Sequence, residues 1–145
     1  MNSKQTTTTI LVIDNDPLTM TAVAAAMYLT GYECHCARDS EAALKAAKHD
    51  QLDLIICDVE LGEEDGVELC QEIVQLPDHQ DVPVIFISSD QRSETIQRSR
   101  EAGGVYYLRK PFDPEVLLEL VDKALWMPHL VGTRLRQSSQ VLPTN

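Results

Sequence analysis

Apolar positions along the chain fall into two alternating kinds of segment. Short β-rich runs at Thr9–Asp14, Tyr32–Cys36, Leu52–Asp58, Val82–Ser88 and Val105–Leu108 predict strands. Three of them hold nearly unbroken apolar stretches, Ile10-Leu-Val-Ile13, Leu54-Ile-Ile-Cys57 and Val84-Ile-Phe-Ile87, as strands covered on both faces do. Longer stretches with helical spacing lie between them. Met20, Val23, Ala24 and Met27 stand at i, i+3, i+4 and i+7 of a first helix. Ala43, Ala46 and Ala47 mark a thin second helix, and Leu69, Ile73 and Leu76 a third. The stretch Gln91–Glu101 has Ile96 as its single apolar residue, which predicts a helix that buries little and is the least firmly held. Pro114–Trp126 predicts a fifth helix. Asp16-Pro17 and Asp113-Pro114 each place a capping carboxylate before a proline suited to a first helical turn.

Five strands, each followed by a helix, describe a (βα)5 α/β domain with a doubly wound parallel sheet. Right-handed crossovers put helices on both faces. The domain is expected over 9–126, with a disordered N-terminus at 1–8. Residues 127–145, with Pro128, Gly132, Ser138, Ser139 and Pro143, read as a tail or a truncated linker. No output domain is visible in the chain.

Charge narrows the function. Twelve Lys and Arg against twenty-three Asp and Glu leave a net −11, and a surface that acidic repels phosphate backbones, so direct nucleic-acid binding is not expected. No apolar run approaches the ~20 residues that span a bilayer, and the N-terminus lacks the apolar core of a signal peptide. A cytoplasmic location with no membrane contact is expected. Cys34, Cys36, Cys57 and Cys70 lack the spacing of common zinc hairpins and read as packing residues. His35, His49, His79 and His129 are scattered, and none stands where a catalytic base would help.

Polar residues gather where the strands end. Asp14, Asn15 and Asp16 follow the first strand, Asp58 the third, Ser88 and Ser89 the fourth and Lys110 the fifth. These are carboxyl ends, the edge at which open parallel sheets bind ligands beside a topological switch point. The second strand has no such terminus, which makes it the outer neighbour of the first. Carboxylates, a hydroxyl and a lysine at one edge suit a hard cation such as Mg²⁺ and a transferred phosphoryl group. Each residue also has a plainer reading: Asp58 as a strand-end turn residue, Lys110 neutralising an acidic rim, Ser88 capping the next helix, Tyr107 as sheet packing. Asp16 reads as a helix cap rather than a ligand.

From Thr9 to Trp126 the chain resembles the receiver domain of two-component response regulators, of which the single-domain chemotaxis regulator is the familiar shape. The resemblance is carried by Ile10-Leu-Val-Ile-Asp14, Leu54-Ile-Ile-Cys-Asp58, Asp65-Gly66, Pro83-Val-Ile-Phe-Ile-Ser88, and Ala102-Gly103 leading to Lys110-Pro111-Phe112. It implies a flavodoxin-like sheet of order 2-1-3-4-5. It makes Asp58 the phosphoacceptor, charged by a sensor histidine kinase or a phosphotransfer protein, with Ser88 and Tyr107 as switch residues and Lys110 as the family's lysine. It implies a cis bond between Lys110 and Pro111, and Mg²⁺ held by Asp14, Asp58 and the backbone carbonyl of Glu60. Asn15 stands where the family has a second acid that touches the metal, so its amide is at most a weak ligand. Glu60 stands where the family varies and dephosphorylation is tuned, and Gly62 where proline is common.

The resemblance implies a phosphorylation-controlled module whose chemistry is limited to self-phosphorylation and slow hydrolysis, rather than a turnover enzyme. The alternative is a degenerate receiver acting as a scaffold without phosphorylation, a reading kept open by Asn15. A phosphatase using Asp58 and Glu60 as nucleophile and acid is a third class, and it needs a cap for which the chain has no room. The apolar arc of the fifth helix is wider than packing on one sheet requires. Leu118 and Leu125 on its flank, with Ile96 and Tyr107, are therefore expected to form a partner or homodimer surface. The tail folding back over them is the plainer reading. Phosphorylation is expected to favour that surface by letting Tyr107 move inward.

Overall fold

We describe a computed structural model of the chain over residues 7–126. The expectations for residues 1–6 and for the tail at 127–145 lie outside the described residues. Thr8 was expected in a disordered N-terminus, yet its carbonyl accepts from the Glu33 amide at 2.8 Å, so the strand pairing continues to it.

The five strands are β1 (Thr9–Ile13), β2 (Glu33–Ala37), β3 (Leu54–Asp58), β4 (Val84–Ser88) and β5 (Gly104–Arg109). They form one sheet in the order β2-β1-β3-β4-β5, parallel at every pairing. The helices are α1 (Pro17–Leu29), α2 (Ser40–His49), α3 (Gly66–Ile73), α4 (Ser93–Glu101) and α5 (114–126). A two-residue hairpin, Glu60–Leu61 with Glu64–Asp65, lies between β3 and α3.

The period-two alternation of the strands builds two core layers. Leu11, Ile13, Ile55, Cys57, Val84 and Phe86 pack with Ala43 and Ala47 of α2 and with Val67, Leu69, Cys70 and Ile73 of α3. Ile10, Val12, Leu54, Ile56, Ile85 and Ile87 pack the other way, against Val23 and Met27 of α1 and Leu117, Val121 and Ala124 of α5. No helix among the described residues is long and apolar enough to cross a membrane.

Asp16 caps α1 by accepting from the Leu18 amide at 3.2 Å and the Thr19 hydroxyl at 2.7 Å. The third helix is shorter than its apolar spacing suggests: it ends at Ile73, and Leu76 is extended, with ψ 142°. The reason is Pro77, whose ring disfavours a helical residue before it. Helix α4 begins two residues later than expected and buries Thr95 and Ser99 more fully than Ile96. His79 is buried as well, its Nε2 2.6 Å from the Ala47 carbonyl, which ties the turn after α3 to α2.

All four cysteines are free. Cys57 and Cys70 are core residues, and burial, then the neighbouring Cys70 thiol, push the Cys57 thiol far up. Cys34 is half-buried, and burial followed by the Cys36 thiol push it up to about 12. Cys36 departs from the packing expectation, because it is exposed on the edge strand β2.

Candidate functional site

Parallel pairing brings every strand's carboxyl end to one edge. Because β1 and β3 are neighbours, Asp14, just past β1, and Asp58, at the end of β3, meet where the chain's winding direction reverses. Ser88 ends β4, and Lys110 follows β5, its amide donating to the Ser88 carbonyl at 3.0 Å. Asp14, Asp58 and Ser88 are almost wholly buried, at 2%, 4% and 0% exposure. The Lys110 ammonium donates to Asp58 Oδ2 at 2.5 Å and lies 3.6 Å from Asp14 Oδ2. The second oxygen of Asp58 accepts from the Glu60 amide at 2.9 Å, and Asp14 Oδ1 accepts from the Asp16 amide at 2.9 Å. The Lys110–Pro111 peptide is cis.

Two carboxylates and one ammonium leave the centre anionic. Burial is the main cause that raises the Asp14 pKa. The Asp16 amide opposes it, and the negative charge of Asp58 adds to it. For Lys110 burial pulls downward, but the hydrogen bond and charge of Asp58, helped by Asp14, outweigh it and hold the ammonium more firmly protonated. A hard cation fits this arrangement: the donors are all oxygens, and Asp14 and Asp58 carry more negative charge than Lys110 neutralises. Among the described residues no three His, Cys, Asp or Glu side chains gather closely enough to hold a metal by themselves.

The loop after Asp58 is tied down on three sides. Glu64 accepts from the Ser40 amide and hydroxyl at the start of α2, both at 2.9 Å. Asp65 caps α3 through the Val67 and Glu68 amides and pairs with Arg98 of α4 at 2.6 Å. The Gly66 amide donates to the Val59 carbonyl at 2.7 Å, and a Cβ on Gly66 would sit 2.0 Å from the Asp58 carbonyl oxygen, so only glycine lets α3 start this close to Asp58. At the hairpin tip Gly62 has φ +65°, and a Cβ there would sit 3.2 Å from Asn15 Nδ2. Asn15 thus leans over the loop from an exposed position.

Beyond Ser88, Asp90 is the centre of a polar cluster that sequence reasoning missed. Its carboxylate accepts from Arg92 Nη2 at 2.7 Å and from the Thr95 hydroxyl at 2.9 Å, and the Arg92 bonds hold its pKa well below the usual carboxylate range. The Asp90-x-Arg92 spacing at a helix start was the available signal. Tyr107 donates its hydroxyl to the Asp90 carbonyl. It is therefore turned in against the loop between β4 and α4 in this structure, the inward position that phosphorylation was expected to favour. Glu60, expected to serve through its backbone, also holds the Ser88 hydroxyl, which donates to its carboxylate at 3.1 and 3.2 Å.

The expected interface flank is not the exposed one. Leu118 and Leu125 are half-buried against the α1/α5 core layer, in which Val105, Tyr106, Leu108 and Phe112 also pack. Leu118 and Leu125 are thus partly covered, whereas other apolar residues of the same helix stay open. The exposed large apolar residues are Leu18, Tyr28 and Leu29 on α1, with Val116 and Trp126 on α5.

Comparison with known proteins agrees with this geometry. The family model described as "Response regulator receiver domain" matches residues 10–122. The transcriptional regulatory protein ZraR of Salmonella typhimurium is 32% identical over 130 residues, which cover 90% of this chain and 29% of that protein. The probable transcriptional regulator ycf29 of Porphyra purpurea is 27% identical, with 92% and 65% covered. The chain thus spans under a third of the length of ZraR. Among solved structures, a response regulator from Thermotoga maritima has TM-score 0.74 and 31% identity, over 83% of this chain and 98% of that one. A CheY-like receiver domain protein from Methanospirillum hungatei JF-1 has TM-score 0.80 over 86% and 98%; at 23% identity it shows the fold alone.

Proposed function

The chain belongs to the response regulator receiver domain family, whose members are phosphoryl-accepting signalling domains, and from that membership we propose that Asp58 accepts a phosphoryl group from a histidine kinase or phosphotransfer protein. The observation that carries the proposal is Lys110 Nζ, 2.5 Å from Asp58 Oδ2 and 3.6 Å from Asp14 Oδ2, with the buried Ser88 at the next strand end. An Asp58 oxygen attacks phosphorus, the P–N bond to the donor's histidine breaks, and its electron pair returns to the imidazole, leaving an acyl phosphate on Asp58. Lys110 stays within reach of the new phosphoryl oxygens and offsets their charge. Ser88 supplies a hydroxyl donor on the other side.

Asp14, Asp58 and the Glu60 carbonyl are the groups that would hold Mg²⁺, whose charge offsets repulsion between carboxylate and phosphoryl group. Asn15 adds an amide oxygen at most, without charge, so affinity for the ion is modest. The scaffold alternative is not favoured, because Asp14, Asp58, Ser88 and Lys110 are all gathered at one edge. Signalling proceeds by a change of conformation in the cytoplasm, with α4, Ile96 and Tyr107 as the responsive part. Self-phosphorylation and slow hydrolysis are the only chemistry we assign.

Intact-mass measurement after incubation with acetyl phosphate and Mg²⁺ tests this. The wild type gains one phosphoryl group and Asp58→Asn gains none. A folded wild type that gains no mass at millimolar Mg²⁺ overturns it.

A further inference from the structure

The Ser88 hydroxyl has one hydrogen to give. In this structure that hydrogen goes to Glu60, with Ser88 Oγ at 3.2 and 3.1 Å from the two carboxylate oxygens, while a lone pair accepts from the Asp90 amide at 2.8 Å. Ser88 cannot donate to Glu60 and to a phosphoryl oxygen on Asp58 at once. Glu60 is joined to the acceptor by its own backbone, since its amide donates to Asp58 Oδ1 at 2.9 Å. The two anions that compete for the hydroxyl are therefore two residues apart on one chain.

We propose that Glu60 is a positioning residue: its carboxylate holds the Ser88 hydroxyl away from the acceptor, so that phosphorylation engages Ser88 only by displacing Glu60. This rests on Asp58 being the acceptor, and concerns what restrains the switch before the phosphoryl group arrives. Glu60 is exposed, so its carboxylate leaves without stranding a buried charge. The hollow of about 220 Å³ beside it is also bordered by Glu63, Glu64, Asp65 and Asp90, and its arginines, Arg92 and Arg98, are already paired with Asp90 and Asp65, so the displaced carboxylate swings out toward solvent. The effect passes to α4 through Asp90. The Asp90 amide bonds to Ser88, its carbonyl accepts from Tyr107, and its carboxylate accepts from Arg92 and from Thr95 of α4. Tyr107 is already engaged while Ser88 is still held by Glu60, so the Tyr107 contact and the Ser88 contact are not obliged to change together.

Binding of beryllofluoride with Mg²⁺, a phosphoryl analogue, to the full chain tests the proposal in a double-mutant cycle. Glu60→Ala tightens binding about tenfold, the size expected when a hydrogen bond to a charged acceptor no longer has to be given up. In a Ser88→Ala background the gain falls to about two- to threefold, which is the charge repulsion that remains. An equal gain in both backgrounds, or none in either, overturns the proposal. A second readout needs no analogue. In the free protein the Asp90 amide NMR resonance moves in Glu60→Ala and stays near its wild-type position in Glu60→Gln, which keeps an acceptor for the hydroxyl. An Asp90 resonance unmoved in Glu60→Ala also overturns it. Wild type that fails to bind the analogue at all overturns the acceptor assignment and this proposal with it, whereas binding that ignores Glu60 overturns this proposal alone.

Discussion

Helices α1 and α4 both start at the edge that carries the site, yet they are held by different forces. Helix α1 has thirteen residues and not one charge, and it is fastened by Val23 and Met27 in a core layer. Helix α4 has nine residues and buries Thr95 and Ser99, which are polar. Its anchors are a hydrogen bond and an ion pair, Thr95 to Asp90 and Arg98 to Asp65, while the buried Ser99 hydroxyl is satisfied within the helix by the Ile96 carbonyl. Apolar packing is indifferent to charge at Asp58. Polar anchors that run through Asp90 to Ser88, and through Asp65 to the loop after Asp58, are not. On the proposed function, the contrast separates an apolar frame from an element whose anchors lead to Asp58.

The largest test of that contrast is Met27→Ala, which removes a side chain at 0% exposure and lowers stability by about 2–5 kcal/mol in urea denaturation. The matched Ile96→Ala on α4 costs less than about 1 kcal/mol, since Ile96 is only half-buried. Equal losses at the two positions would erase the distinction.

Thr95→Val keeps the shape of a buried residue and deletes its bond to Asp90. It costs about 1–1.5 kcal/mol. Amide exchange by NMR speeds up along α4 while that of α1 is unchanged. Uniform acceleration would show that α4 is not a separately held unit.

Asp14→Asn acts on the frame's side of the site, just past β1, and its effect depends on pH. The folded-state pKa of Asp14 is raised, so its ionised form destabilises the fold above that pKa, and the penalty vanishes as the wild type itself protonates. The variant is therefore more stable by about 1 kcal/mol at neutral pH, and the gain shrinks as pH falls through the raised value toward 3.8. Urea melts at both ends of that range check it. A gain independent of pH would locate the effect elsewhere than the carboxylate charge.

The smallest effect belongs to Arg98→Ala. With both partners of the Asp65 pair partly exposed, global stability falls by less than about 1 kcal/mol, and less still at high salt. The sharper readout is the position of α4 relative to α3, followed by chemical-shift changes confined to those two helices.

Much of this molecule was legible from local pattern. Apolar runs such as Leu54-Ile-Ile-Cys57 belong to strands buried on both faces wherever they pair, and Asp16-Pro17 caps a helix by its own short-range chemistry. The residues at the strand ends followed, because a parallel sheet with right-handed crossovers delivers Asp14, Asp58, Ser88 and Lys110 to one edge. What spacing could not show is which of two available partners a flexible side chain takes. Glu60 reaching Ser88 across 28 positions, Arg98 reaching Asp65 across 33, and Tyr107 turning to the Asp90 carbonyl are choices made by the packed loops around the site. How far α5 is covered is likewise a tertiary matter: Leu118 and Leu125 are half-buried in a core layer that they share with Tyr106, Leu108 and Phe112, residues outside the helix. Backbone periodicity is a property of each segment alone and survives translation into structure. Side-chain partnership is settled by competition among neighbours far apart in sequence, and only the folded chain brings those competitors together.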